Sequence, residues 1–168
     1  MRNIVVIAAT ALALAGSLAH AQSNEPARIV LGAGVTGFAR HNEQVTETTE
    51  FVDVEYRGSA DLWRGVKPLA GLGMTTRSVA YARTGLYRDF SLNPHWILTP
   101  HFSVGAAARR EGTDLGNTIE FLTGRDLFYR LQNGWRVGAT LSHVSNGGLA
   151  ENNPGVENLG ILLALPLR

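Results

Sequence analysis

The chain predicts an all-β fold, an eight-stranded antiparallel transmembrane β-barrel, and three observations carry that expectation. After residue 21 the sequence divides into eight extended segments, none with a sustained helical period. Along several of them apolar residues alternate with polar or charged ones, so each strand presents two unlike sides. The connections are short after the second, fourth and sixth segments and long after the first, fifth and seventh; only the third is short against the trend. Outer-membrane barrels show that asymmetry between their two rims, and closing the sheet removes the edges that lipid leaves unsatisfied.

The start of the chain reads as an export signal. Met1-Arg2-Asn3 is a short positive region, Ile4 to Leu18 is almost wholly apolar, and Ala19-His20-Ala21 fits a small-x-small cleavage site. The expected mature chain begins at Gln22, and residues 22–168 form the barrel. That first apolar run is too short, and too promptly followed by polar residues, for a comfortable spanning helix.

The segments then follow in order. The first is Arg28–Arg40, with a polar loop from His41 to Glu50. The second, Phe51 to about Leu62, alternates Val52, Val54 and Tyr56 with Asp53, Glu55 and Arg57. A Trp63-Arg64-Gly65 turn leads into the third, Val66–Ser78. The fourth runs from Val79 to Phe90 with Tyr81, Arg83, Gly85 and Tyr87 on one side, and Ser91-Leu92-Asn93-Pro94 turns the chain. The fifth is Trp96–Arg109, followed by the polar stretch Arg110–Asn117. The sixth, Thr118–Leu131, ends at Asn133-Gly134, a hairpin signal because both residues tolerate positive φ. The seventh is Trp135–Ser145, and the eighth runs from Val156 to the terminus with Leu159, Ile161, Leu163, Leu165 and Leu167 on one face. Trp63, Trp96 and Trp135 all fall beside short turns, where they read as anchors at one membrane interface.

Composition narrows the function classes. The 19 glycines are spread along the extended segments, which suits the tight curvature of a small barrel. There is no cysteine, hence no disulfide and no thiolate metal site. The net charge of +1 comes from interspersed residues without a basic block, so nucleic acid is not an expected partner. Mid-segment charges (Asp53, Glu55, Arg57, Arg83, Glu120 and Arg125) are expected in the lumen, with the apolar faces in lipid.

That frame gives the stretch Leu141-Ser142-His143-Val144-Ser145-Asn146-Gly147-Gly148 its meaning. Counting back by twos from Ser145, His143, Leu141, Ala139 and Val137 share the apolar face, opposite Ser142, Thr140, Gly138 and Arg136. Glu157 shares the face of Leu159 and Ile161, and a hairpin centred near Ala150 sets Glu157 beside His143. A hydroxyl, a base and an orienting carboxylate then project from the lipid-facing side at the level of the outer leaflet. A carboxylate there is costly, which points to a use for it. His-x-Ser alone is weak: His101-Phe102-Ser103 repeats it, but there the parity turns the pair into the lumen and no carboxylate lies at hairpin distance. Glu151 is a rival orienter, held less firmly because it lies in the loop.

The His143-x-Ser145-Asn146 motif, the following Asn153-Pro154-Gly155 and the spacing to Glu157 resemble the outer-membrane lipid A 3-O-deacylases. The resemblance is sharpest over Trp135–Leu167 and looser upstream, where Gly124-Arg125-Asp126 is compatible with it. It implies removal of the 3-O-linked hydroxyacyl chain from the lipid A of lipopolysaccharide by a serine hydrolase mechanism, without cofactor or metal. By motif, Ser145 is then the nucleophile, His143 the general base and Glu157 its orienter. Asn146 and the amides around Gly147 and Gly148 stabilise the oxyanion, and Asn153 holds the site loop. The chain departs from the usual outer-membrane pattern in ending Leu167-Arg168 instead of on an aromatic residue.

Three rivals follow from the same residues. The first is an outer-membrane esterase acting on glycerophospholipids, the second a non-catalytic eight-stranded barrel for structure or adhesion. The third is a soluble lipocalin-like carrier with its apolar faces inside. Whether the chain pairs with itself in a homodimer is left open.

Overall fold

In the computed structural model of the protein, residues 25–38, 48–77, 79–109 and 114–167 are described. The export signal expected over residues 1–21 lies outside them. No helix occurs among the described residues, so none is long and apolar enough to cross a membrane. The strands are β1 (Arg28–Thr36), β2 (Thr49–Arg57), β3 (Val66–Thr75), β4 (Val79–Arg88), β5 (Phe90–Ser91), β6 (Trp96–Arg109), β7 (Ile119–Arg130), β8 (Arg136–Ser145) and β9 (Val156–Pro166). The two-residue β5 only extends the turn into β6, pairing Phe90 with Leu98. The other eight form the wall, each antiparallel to its neighbours, and the pairing of β1 with β9 from Arg28↔Pro166 to Thr36↔Asn158 closes it.

The strands begin close to where alternation starts and end where it fails. In β2, Val52, Val54 and Tyr56 are about half exposed (55%, 50% and 44%), while Asp53, Glu55 and Arg57 are buried. The wall is therefore inverted relative to a soluble barrel: apolar outside, charged inside. The outward face carries Leu72, Met74, Leu86, Phe102, Val104, Leu127, Val137, Leu141, Leu159 and Ile161. Burying such a band in hydrocarbon, with all backbone groups paired around a closed sheet, is the solution open to a membrane-spanning sheet. A lipocalin-like carrier needs the reverse polarity and does not fit.

A layer of paired charges spans the lumen. Arg57 donates to Glu55 at 2.5 Å and to Asp126 at 2.6 Å, which ties β2 to β7 across the interior. Arg83 donates to both Asp53 oxygens (2.5 and 3.0 Å) and to Glu55 (2.9 Å), tying β4 to β2. Below this layer Val30, Ile97, Phe128 and Ala164 form a small apolar plug. Arg125 is the exception to the expectation that mid-strand charges point inward: its side chain is exposed on the outer wall. Adjacent residues of a strand cannot share a side, and Asp126 takes the lumen through its bond to Arg57.

At the rim carrying the short turns, Glu25 and Asp89 sit among guanidinium groups. Glu25 bonds Arg28 (2.7 Å), Arg136 (3.0 Å) and Arg130, and Asp89 accepts from Arg136 (2.8 Å) and Thr99 (2.7 Å). Burial pushes both carboxyls up, but the arginines outweigh it and hold both below the ordinary carboxylate range. A depressed folded value adds stability that is fully present above the ordinary pKa of about 4 and is lost as pH falls through the folded values. Urea midpoints taken from pH 7 to pH 3 should fall on the acid side, and Glu25→Gln with Asp89→Asn should flatten that limb while lowering the pH 7 midpoint.

Candidate active site

The β8–β9 hairpin places the site. Its register runs from Arg136↔Ala164 up to Val144↔Val156 and makes His143 and Glu157 direct cross-strand partners. On the outward face His143 Nδ1 lies 2.9 Å from Glu157 Oε1, with the imidazole 43% and the carboxylate 21% exposed. Facing an ionised carboxylate, which only accepts, a neutral imidazole carries its proton on Nδ1 and keeps its lone pair on Nε2. That is the tautomer a general base needs. Glu151 is exposed in the connecting loop and does not take this partnership.

Ser145 stands two residues beyond His143 on the same face, opposite Phe121 of β7. No hydrogen bond joins it to His143 in this structure; such bonds are often long until a substrate is bound. His101 and Ser103, the competing pair, are turned inward: the His101 side chain is 5% exposed and Ser103 1%. His101 Nε2 lies 3.3 Å from the lumenal Asp126.

The loop after Ser145 corrects one expectation. Asn146 is wholly buried, and both protons of its side-chain amide are committed, to Leu115 O (2.8 Å) and Asn152 O (2.7 Å). Its Oδ1 accepts the Gly148 N–H at 2.9 Å, and its own N–H goes to Asn153 Oδ1 at 3.1 Å. The Asn146 side chain therefore holds the loop together and does not present donors to the surface, and the Gly148 N–H is likewise taken. Two donors near Ser145 stay uncommitted among the described residues: the Gly147 N–H and the carboxamide N–H₂ of the exposed Asn153. The Asn153 oxygen is taken up by the Asn146 N–H within the same loop.

Gly155 forms one wall of the imidazole, a contact the sequence reading did not single out. It has φ +63°, and a Cβ built there meets His143 Cε1 at 2.7 Å and Nε2 at 3.2 Å. Gly155→Ala should displace the ring and strain the backbone. Small misplacements of a catalytic group cost up to about a hundredfold in rate, and a left-handed non-glycine residue costs roughly 1–2 kcal/mol. A drop in kcat of about ten- to a hundredfold with a small loss in urea midpoint is the expected pair of results. Unchanged kcat in a folded Gly155→Ala variant would show that the ring is not held from this side.

Around the site the outer wall is apolar. Phe102 and Phe121 stack with centroids 6.2 Å apart, and Leu141, Leu159 and Ile161 continue the surface toward the short-turn rim. Thr123 and Arg125 of β7 interrupt it beside His143 and Leu141. A hydroxyl, an imidazole and a carboxylate grouped on such a surface have the chemistry to act on an ester whose chains lie against the wall.

Among solved structures, the chain is similar to the crystal structure of the outer membrane enzyme PagL: TM-score 0.63, 18% identity, covering 83% of this chain and 99% of that one. It is also similar to a de novo designed transmembrane β-barrel, with TM-score 0.56 and 14% identity, covering 86% of this chain and 98% of that one. At such identities the likeness is one of fold. No curated protein sequence matches the chain. The sequence model of the lipid A 3-O-deacylase (PagL) family matches residues 31–166, a span that holds the whole wall beyond the first residues of β1 together with the β8–β9 hairpin and its loop, and the chain belongs to that family.

Proposed function

We propose that this protein is a serine esterase of the outer membrane that removes the 3-O-linked hydroxyacyl chain from lipid A, with its site at the outer leaflet. The observation that carries the reading is the 2.9 Å pair of His143 Nδ1 and Glu157 Oε1 on the lipid-facing side, with Ser145 next along the same face. Structural polar pairs in a barrel of this kind lie in the lumen, as His101 and Asp126 do.

Ser145 Oγ attacks the ester carbonyl as its proton passes to His143 Nε2, and Glu157 stabilises the imidazolium that results. The oxyanion faces the Gly147 N–H and the Asn153 amide, while Asn146 acts indirectly by fixing their loop. Collapse of the tetrahedral species expels the sugar 3-oxygen, which takes the proton from His143. Water, deprotonated by the same imidazole, then releases the hydroxy fatty acid and regenerates Ser145. The chemistry needs no lipid drawn into the barrel, which the charged network blocks.

Incubating the purified, folded protein with lipopolysaccharide and, separately, with glycerophospholipid vesicles tests the reading by mass spectrometry. Loss of one 3-hydroxyacyl chain from lipid A with intact phospholipids is the expected result. Cleavage of phospholipid alone would replace the substrate, and cleavage of neither would favour a non-catalytic barrel.

A further inference from the structure

Outward-facing ionised side chains are confined to strand ends, with one exception among the described residues. Glu50 lies one residue into β2, Arg88 ends β4 and Glu157 lies one residue into β9. Arg125 alone sits in mid-strand, exposed, between the outward Thr123 and Leu127 of β7, and no described side chain or carbonyl accepts from it. A lone guanidinium on the lipid face is costly, so its position asks for a partner in the lipid.

The register says where that partner lies. Arg125 pairs with Leu141 and Thr123 with His143, which makes Arg125 the diagonal neighbour of His143. Diagonal neighbours on one face are within reach of a long side chain, and an arginine stem lets its head climb away from the apolar interior. Ser145 lies on the opposite side of His143, toward the long-loop rim, and Arg125 lies toward the short-turn rim. A lipid whose ester carbonyl is at Ser145 and whose sugar is at the long-loop rim runs its acyl chain down the wall past Arg125. The phosphates and sugar are then above Ser145, out of this side chain's reach. The first polar atom a chain offers on the lower side is an oxygen on its third carbon, which a 3-hydroxyacyl chain has and a plain acyl chain lacks.

We infer that Arg125 is a specificity residue that donates to the 3-oxygen of the acyl chain being removed, selecting oxygenated over plain chains. The inference rests on the esterase reading above and assigns its chain preference to one side chain. Thr123, exposed on the next rung, is placed to share that oxygen. A site built to hydrogen-bond a substrate hydroxyl discriminates strongly against the analogue lacking it, because the donor is then left unpaired.

The test compares kcat/KM for p-nitrophenyl 3-hydroxymyristate and p-nitrophenyl myristate in detergent micelles, for the wild type, Arg125→Leu, Arg125→Lys and Ser145→Ala. The wild type should prefer the hydroxylated ester by about tenfold or more, and Arg125→Leu should bring that ratio to within about threefold of unity. Arg125→Lys, which keeps a charge but loses the fork, should fall between them. Leucine on the lipid face does not threaten folding, and heat-modified gel migration verifies it. An unchanged ratio in Arg125→Leu, or equal loss on both esters, overturns the assignment while leaving the esterase intact. If Ser145→Ala matches the wild type, or the folded wild type cleaves neither ester, the underlying reading fails, and the assignment with it.

Discussion

Replacing Ser145 by Ala should lower kcat for lipid A deacylation by about a thousandfold or more and leave the barrel as stable as before. Ser145 Oγ makes no hydrogen bond to His143 that folding depends on, and the outward face tolerates a methyl group. His143→Ala should cost a similar factor, because the nucleophile and its base act as one unit whose losses do not add. Glu157→Gln should cost less. It keeps the shape and an acceptor, but loses the charge that stabilises the imidazolium and fixes its tautomer. The ranking is the informative part. Steady-state rates on isolated lipopolysaccharide measure it, with gel migration confirming that each variant is folded. If Ser145→Ala retains wild-type turnover, the nucleophile must be sought elsewhere. The buried Ser103 and Ser142 are poor replacements, since both point into the lumen. A Glu157→Gln loss as large as that of Ser145→Ala would instead make the carboxylate a reacting group.

The site's framework was legible because strand parity and hairpin arithmetic are rigid. Once Asp53, Glu55 and Arg57 fix which side of β2 is the lumen, the alternation assigns every residue of a strand to one side. Two strands joined by a loop pair residues whose numbers sum to a constant, so a centre near Ala150 put His143 against Glu157. The same parity could have placed Arg125 outside. It is an odd number of residues from Glu120 and next to Asp126, and both of those are buried. Grouping it with the lumenal charges treated charge as sufficient where position decides. Loop chemistry was less legible. Asn146 reads as a donor beside a nucleophile, but its amide closes on Leu115 O and Asn152 O, partners that only the folded loop brings near. Gly155 could be any turn glycine until the imidazole is seen against it.

Breaking the lumenal network should have the largest effect on stability. Arg57 is buried and is the link between Glu55 on its own strand and Asp126 across the lumen, with its guanidinium over the Tyr87 and Phe128 rings at 5.3 and 5.4 Å. Arg57→Ala leaves two carboxylates buried without their shared cation and opens a cavity among aromatic rings. Removing one partner of a buried pair costs about 3–5 kcal/mol, and a urea titration in detergent or lipid vesicles should show a loss of that size. Asp126→Asn removes only one arm and should cost less, since Glu55 keeps Arg57 and Arg83. Exchanging Arg57, Glu55 and Asp126 together for apolar residues of similar size should recover much of the loss, because desolvating charges offsets most of what their pairing contributes. Arg83 and Asp53 still pair in that variant, at 2.5 Å. Turnover per folded molecule should survive all three changes, because the reaction takes place on the outer wall and passes nothing through the lumen. Loss of activity in a folded triple variant would mean that the interior sets the geometry of β8 more tightly than its own pairing with β7 and β9 does.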